Sequence, residues 1–387
     1  MFLSVLAFVF GVPVGTLAAT SGVFAIVFGL ALQNTLSDVF SGIALNLGHA
    51  YAPGDWIVLP DGTEGRVIET NWRATHILTS TRNVVMLPNR FLSQLGLMNV
   101  SKPNERHRIT VKVRFLPTAT PAVVMDVMRI VLMSSNTILN DPPPYVAVKS
   151  QDAAAIEVDL VFAVADVEHR VTARNEIFDL VYRHSRSAGL PLALPSSSAS
   201  IAMTRPRWRA EDDRRHTPME LIKAIPVLSA LTDGEREMLA AKISVRTYRK
   251  DEIIVRQGET LPSLMIVRKG VIIRERQEGD GHPHEVSRLS PGDFFGETGL
   301  LAGLGEMSTL RAITEVAAYE VDQESFAPLL IERPEMAENI AAILSAGKPE
   351  IGESREPGHQ NAYSKFALLG SIRKAFRLAR TNARHHL

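Results

Sequence analysis

The 387-residue chain contains no cysteine, so disulfides and thiolate metal sites are excluded. Its 42 basic and 42 acidic side chains cancel. No net field therefore favours nucleic acid or an acidic substrate. The most informative shortage is local. The first fifty residues hold no Lys or Arg and a single acid, Asp38. An amphipathic helix of a soluble protein needs a charged face, and a secretory leader needs a basic start. Neither is present.

What is present is an apolar run from Val14 to Leu32. At 1.5 Å per residue, about 19 residues are near the minimum for crossing a bilayer. Gly15, Ala18, Gly22, Ala25 and Gly29 recur at spacings of three and four, a stripe of small residues on a helix. Such stripes let helix backbones approach closely in lipid, so packing against copies of the same helix around a pore is expected. Ahead of the run, Phe2 to Phe10 is too short to span. It reads as the tail of a preceding membrane helix, which predicts further chain upstream. At Gln33-Asn34 the pattern turns amphipathic: Leu36, Val39, Phe40, Ile43 and Leu45 keep helical spacing among polar residues. This predicts a bend with the second part along the membrane interface. The alternative is one helix leaving the bilayer.

The segment from Gly29 to Asn34, then Leu36-Ser37 and Gly42, resembles the pore helix and its break in the small-conductance mechanosensitive channel (MscS) family. The resemblance implies a homoheptamer in the bacterial inner membrane. Ile26 and Leu30 would form the hydrophobic pore constriction. Val23 and Val27 would pack on Gly22, Ala25 and Gly29 of the neighbouring helix. Apolar rings of this kind gate by dewetting. The chain differs from the family at Asn34, where Gly is usual, and in larger knobs at Val23 and Val27. The bland alternative is that Ile26 and Leu30 face lipid.

Residues 51–100 read as short strands rich in branched residues: Trp56 to Leu59, Gly65 to Ile68, Arg73 to Leu78 and Asn83 to Leu87, with an Asp61-Gly62 hairpin signal. A small β barrel is expected. Gly54-Asp55, Gly65-Arg66-Val67, Arg73-Ala74-Thr75, Pro88-Asn89 and Asn99-Val100-Ser101 resemble, in order, the β domain of the same family. An RNA-binding barrel would need a basic aromatic surface, which these strands lack. Residues 101–195 alternate strand and helix patterns. Ile109, Val111, Val113 and Phe115 mark a half-buried strand. Thr120-Pro121 starts a helix running to about Ser134. Strands around Val146 to Val148 and Ile156 to Phe162 follow, then a helix from Glu168 to His184. The order gives a two-layer α/β domain. His169, Glu176 and His184 share that last helix, but neighbours are separated by about 10 Å of rise, too far for one ion. They read as solvated surface. Nothing supplies a nucleophile with a base, so no enzyme is expected.

Residues 196–216 read as a polar linker. Residues 217–345 begin helical and turn to β structure, with strands at Ile253 to Val255, Leu264 to Val267, Val271 to Ile273 and Tyr319 to Val321. Between the last two lies Pro291-Gly292-Asp293-Phe294-Phe295-Gly296-Glu297-Thr298-Gly299. A Gly-rich turn feeding a short helix exposes backbone N–H groups, and a carboxylate can accept from ribose hydroxyls. Lys250 to Gly258, Lys269-Gly270, Gly292 to Glu297 and Arg311-Ala312 resemble the cyclic-nucleotide-binding domain, a β-roll. The resemblance implies cAMP or cGMP as a ligand and no other cofactor. It puts Phe295, Gly296, Glu297 and Thr298, with Ser308, Thr309 and Arg311, in or beside the phosphate-binding cassette that runs to Ala312. One departure stands out. Where that family has an Arg for the cyclic phosphate, this chain has Glu306, followed by Met307. Either Arg311 reaches in, or the pocket takes another ligand, or binding is weak or lost.

Residues 346–387 form a basic tail. Phe366, Leu369, Ile372, Phe376 and Ala379 line one helical face, opposite Arg373, Arg377, Arg380 and Arg384. Such a helix suits an anionic membrane or a partner helix. The sequence thus predicts residues 1–50 as a membrane helix region, followed by a β domain, an α/β domain, a linker and a β-roll, with the soluble domains in the cytoplasm. The expected function is a tension-gated ion channel in the lipid bilayer, modulated by a cyclic nucleotide and with no nucleic-acid partner. The rival is a membrane-anchored ligand sensor that does not conduct.

Overall fold

The computed structural model describes residues 14–193, 218–229, 231–277, 281–333, 335–346 and 365–376. Phe2 to Phe10, the linker at 196–216 and most of the basic tail lie outside them. The chain divides into two compact units, one of Met1–Arg108 with Val164–Arg170, the other of Ile109–Ala163 with Val171–Leu387.

The first unit opens with helix α1, Val14–Leu47, unbroken through Gln33-Asn34. The expected bend is therefore not seen. Asn34 carries a Cβ and sustains the helical ladder where a glycine would loosen it. At 34 residues, α1 is about 51 Å long. Strands β1 (Trp56–Val58), β2 (Glu64–Thr70), β3 (Ala74–Leu78), β4 (Val84–Pro88) and, after the short helix α2 (Asn89–Gln94), β5 (Met98–Asn99) form a sheet in the order β4-β3-β2-β1-β5. The sheet is open: β4 and β5 are its two edges, so the expected barrel is β-rich but not closed. Leu45 from α1 joins Tyr51, Ile57, Leu59, Val67, Ile77 and Leu92 in its apolar cluster.

The second unit carries all but the end residues of β6 (His107–Phe115), β8 (Ile156–Val164) and α4 (Arg170–Ser187), with α3 (Pro121–Ser134) and β7 (Tyr145–Gln151), in the order read from the sequence. The three strands lie as β6-β8-β7. Ile109, Val111, Val113 and Phe115 are buried, as their alternation predicts. The solvated-surface reading holds for His169, which is exposed, and is corrected for Glu176 and His184. His184 is buried against Ser134 Oγ (2.8 Å). Glu176 accepts from the N–H groups of Asn136 (2.8 Å) and Thr137 (3.2 Å).

Helices α5 (Pro218–Ala224) and α6 (Asp233–Lys242) then lead into two four-stranded sheets. Thr232 and Glu235 close a capping box at the start of α6. One sheet has the order β10-β15-β12-β13: β10 is Ile253–Val255, β12 Ile272–Arg276, β13 His284–Leu289 and β15 Thr309–Ala312. The other is β14-β11-β16-β9: β9 is Ser244–Tyr248, β11 Ser263–Lys269, β14 Phe294–Phe295 and β16 Val316–Asp322. Met265, Val267 and Phe295 face Ile272, Leu289, Leu310 and Ala312 in the cluster between the sheets. The alternate residues of β11, Leu264 and Ile266, join a second cluster built with helices α7 (Glu297–Ala302), α8 (Gln323–Glu332), α9 (Glu335–Ala346) and α10 (Lys365–Ala375).

Helix α10 lies in the basic tail, and its apolar face is not left for a membrane. Leu368, Ile372 and Phe376 are buried in that cluster with Leu300 and Leu301 of α7. Phe376 meets Phe326 edge-on at 6.3 Å. Arg373 pairs with Glu338 of α9 at 3.2 Å.

Candidate functional site

Two regions are candidates for functional chemistry. The first is α1. Its outer half is apolar and exposed: Val23, Ile26, Val27 and Leu30 are all open, and a Cβ added at Gly22 or Gly29 meets nothing within 4 Å. Its inner half is anchored. Asp38 is buried and accepts from the N–H of Arg90 (3.1 Å) at the start of α2, where unpaired helix amides favour a carboxylate. Ser41 Oγ accepts from Ser93 Oγ at 2.9 Å. Gly42 lies against Asn89, which is buried in a polar chain: Tyr51 OH to Thr75 Oγ1 (2.7 Å), Thr75 Oγ1 to Asn89 Oδ1 (3.0 Å), and Asn89 Nδ2 to the carbonyl of Asn71 (2.8 Å).

The second is the turn from β14 into α7. Gly296 has φ +85°, and a Cβ there would lie 2.2 Å from the Ser263 carbonyl, so only glycine fits. Gly299 and Gly305 press equally hard on the carbonyls of Leu261 (2.1 Å) and Gly258 (2.4 Å). These contacts bring residues 258–263 against the cassette. The backbone of Glu306 is fixed to the same segment, its carbonyl accepting from Gly258 N–H and its N–H donating to the Glu259 carbonyl, both at 2.8 Å.

The Glu306 side chain turns inward. Its Oε1 is buried without a hydrogen-bond partner. Burial first, and the Glu297 carboxylate second, push its pKa up to about 7, against the pull of Arg274 and a backbone hydrogen bond from Gly296. Two carboxyls thus share the turn, one of them half-protonated near neutrality.

The remaining cassette residues divide. Phe295 is fully buried between the sheets. Thr298 is partly exposed on α7, Ser308 is buried, and Thr309 Oγ1 accepts from the N–H of Gln257 (3.1 Å). Arg311 is engaged elsewhere. Its guanidinium makes a two-pronged pair with Glu275 on β12, one prong at 3.1 Å, and lies 3.6 Å from Asp251. Glu275 in particular raises its pKa. Sequence reasoning missed Arg274, the cation nearest in effect to Glu306. The alternation of β12 was its only signal, with Arg274 one residue from Glu275. Among the described residues no cluster of three metal-binding side chains occurs.

Comparison with known proteins follows the same division. Residues 34–102 match the family model for the mechanosensitive ion channel beta-domain, and residues 245–333 that for the cyclic nucleotide-binding domain. The low conductance mechanosensitive channel YnaI of Escherichia coli is 32% identical over 31% of this chain and 36% of its own length. A cAMP-dependent protein kinase regulatory subunit of Debaryomyces hansenii is 29% identical over 39% of this chain and 34% of its own length. The chain thus spans about a third of the length of these curated relatives. The closed-state crystal structure of Helicobacter pylori MscS overlaps 48% of this chain and 73% of that one, at 19% identity and a TM-score of 0.44. Both family models describe channel or ligand-binding modules and neither describes a catalytic one. One polypeptide here joins a region like the beta-domain of mechanosensitive ion channels to a region like the cyclic nucleotide-binding domain.

Proposed function

We propose that this protein is an ion channel of the bacterial inner membrane, gated by bilayer tension and biased by a cyclic nucleotide in its C-terminal domain. The observation that carries the reading is the split character of α1. Its outer half is apolar, uncharged and exposed, while its inner half is pinned to the β domain through Asp38, Ser41, Gly42 and Leu45. Seven copies would pack Gly22, Ala25 and Gly29 against Val23 and Val27 of a neighbour. That turns Ile26 and Leu30 into rings that exclude water when close and wet when apart. A wider state occupies more membrane area, so tension favours it. No charged side chain lies in this half, so weak ion selectivity is expected. The β, α/β and nucleotide-binding domains lie in the cytoplasm in this reading.

A ligand biases the gate only through its differential affinity for the two states. In the pocket, an ionised Glu306 would repel a cyclic phosphate, and Arg311, committed to Glu275, would not offset it. The reading is therefore binding of cAMP or cGMP together with a proton on Glu306.

Patch recording of the full-length protein in liposomes under suction tests the channel. Tension-dependent current that fails when Leu30 is changed to Asp supports it. Silence from verified membrane-inserted protein would overturn it in favour of a non-conducting anchored sensor.

A further inference from the structure

Within the second unit, the β-roll and the α/β layer exchange arginines. Arg288, on β13, points into the end of α3: its guanidinium Nη1 donates to the carbonyls of Met133 (2.6 Å) and Ser135 (3.2 Å). Its backbone N–H donates to Asn136 Oδ1 (2.7 Å). The last carbonyls of a helix have no donor within it, and a cation there also meets the negative end of the helix dipole. Arg183, on α4, runs the other way. It donates to the carbonyls of Pro291 (2.5 Å) and Ser290 (3.1 Å), and its Nη2 lies 2.8 Å from Asp293 Oδ1. A hydrogen bond from Ser187 Oγ to the Arg268 carbonyl (2.7 Å) adds a third tie.

Both ends of this clasp are stiff. On the α/β side, Glu176 of α4 holds the 135–137 loop through two backbone N–H groups and the hydroxyls of Ser135 and Thr137. On the β-roll side, Asp293 Oδ2 accepts from Ser290 N–H (2.7 Å), and Gly292 N–H and the Asp293 carbonyl both pair with Val267 (2.8 Å each). Gly292, at φ +93°, lets this turn close. The turn runs straight into β14 and then Gly296 and Glu297, so Arg183 grips the pocket three residues ahead of Gly296.

Among the described residues, neither apolar cluster of the β-roll includes a residue of α3 or α4. A hollow of about 210 Å³ lies there instead, lined by Val127, Ile130, His184, Ala188, Gly270 and Thr314 among others. Directional polar bonds beside a half-open hollow form a joint that can tighten or release without exposing a core, unlike a packed apolar interface.

We infer that Arg183 and Arg288 form a reciprocal clasp through which the state of the ligand pocket acts on the α/β domain. Its effect at the pore rests on the channel reading above; the clasp itself does not.

The test uses the full-length protein in liposomes, with Arg183→Met and Arg288→Met made together. Amide exchange is read at 133–137 and 289–296. Losing the clasp should speed exchange there by about tenfold, the equivalent of one or two hydrogen bonds, while the β11–β16 ladder stays protected. A change confined to the pocket, Glu306→Gln, should alter exchange at 133–137 by about threefold or more in the wild-type background and not in the double variant. An effect of Glu306→Gln that survives loss of both arginines, or that is absent in both backgrounds, overturns the clasp. If the double variant unfolds the β11–β16 ladder, Arg183→Lys, which keeps the charge and sheds the fork of donors, serves for the same comparison. Under suction, the double variant should shift the opening threshold without changing conductance. A wild-type protein that passes no current overturns the channel reading alone, because the exchange comparison needs no current.

Discussion

The carboxylate of Asp38, the single acid among the first fifty residues, accepts a hydrogen bond from the backbone N–H of Arg90 at 3.1 Å. In the proposed channel, tension that moves α1 must therefore move α2 and the sheet behind it, or break this bond. Asp38→Ala removes a charged acceptor from a buried site, which costs on the order of 2 kcal/mol. The expected outcome is a lower melting temperature of the purified protein together with an altered suction threshold. Asp38→Asn, which keeps an acceptor oxygen, should fall between the two.

Gly42 is the tightest point of the same junction. A Cβ at this position would lie 2.6 Å from Asn89 Nδ2 and 3.1 Å from the Trp72 carbonyl. Asn89 cannot yield without giving up its bonds to Thr75 and Asn71. Gly42→Ala should therefore destabilise the first unit by on the order of 2 kcal/mol, the usual cost of overpacking plus a strained buried bond. Chemical denaturation followed by Trp56 and Trp72 fluorescence would read it. A stability within about 0.5 kcal/mol of wild type would show that the junction is looser than its geometry.

Much of this was legible in the chain. The alternation of Ile109 to Phe115 and the Thr120-Pro121 start gave β6 and α3 because each is local: burial on one face, or a proline's fixed φ in the first turn, where Thr120 makes no capping bond of its own. The β5 pair of residues and the six-residue α2 were not legible, since elements this short carry no period. The partner of Arg311 was hidden for a different reason. Glu275 reaches it only because β12 and β15 pair with Ile273 opposite Arg311, and register between strands separated by a long connection is a tertiary property. The tail helix showed its apolar face in its spacing, but not that the face would be covered by α7 and α9. Glu306 was visible as an acid in a cassette; its unpartnered buried oxygen was not.

For the pocket, the pKa of Glu306 near 7 fixes the sign of the pH dependence. Binding an anion requires the protonated acid, so affinity for cAMP should be level below pH 7. Above that it should fall by up to about tenfold per pH unit. Calorimetry of the full-length protein at pH 6 and pH 8 measures this. Glu306→Gln should bind with little difference between the two, and Glu306→Arg should bind on the order of a hundredfold tighter than wild type at pH 8, through a charge-assisted pair replacing a repulsion. Equal wild-type affinities at the two pH values, with no gain in Glu306→Arg, would mean that the phosphate does not come near residue 306.

The same acid bears on stability. Its folded pKa lies above the ordinary carboxylate value of 4.5, so the folded state holds the proton more firmly than the unfolded one. Stability should decline as pH rises from about 4.5 through 7, by on the order of 3 kcal/mol in all. Glu306→Gln should abolish that decline, raising the melting temperature at pH 8 while changing it little at pH 5. A variant that melts lower than wild type at pH 8 would show that the ionised carboxylate is stabilising.

His184 should give the opposite slope. It is buried, and burial, followed by the charge of Arg183, pulls its pKa down to about 3. The Ser134 hydroxyl donates to the Ile130 carbonyl (2.6 Å), so it receives from Nε2–H of a neutral imidazole. Below the unfolded value of 6.5 the unfolded chain takes up a proton that the folded one refuses. Stability should therefore fall by up to about 1.4 kcal/mol per pH unit from 6.5 toward 3. His184→Leu removes the proton site and leaves Ser134 bonded to Ile130, so it should cost little at pH 7 and exceed wild type in stability at pH 5. Amide exchange in α4 at the two pH values, corrected for intrinsic rates, reads the crossing. Parallel slopes in variant and wild type would place the acid sensitivity of this unit elsewhere.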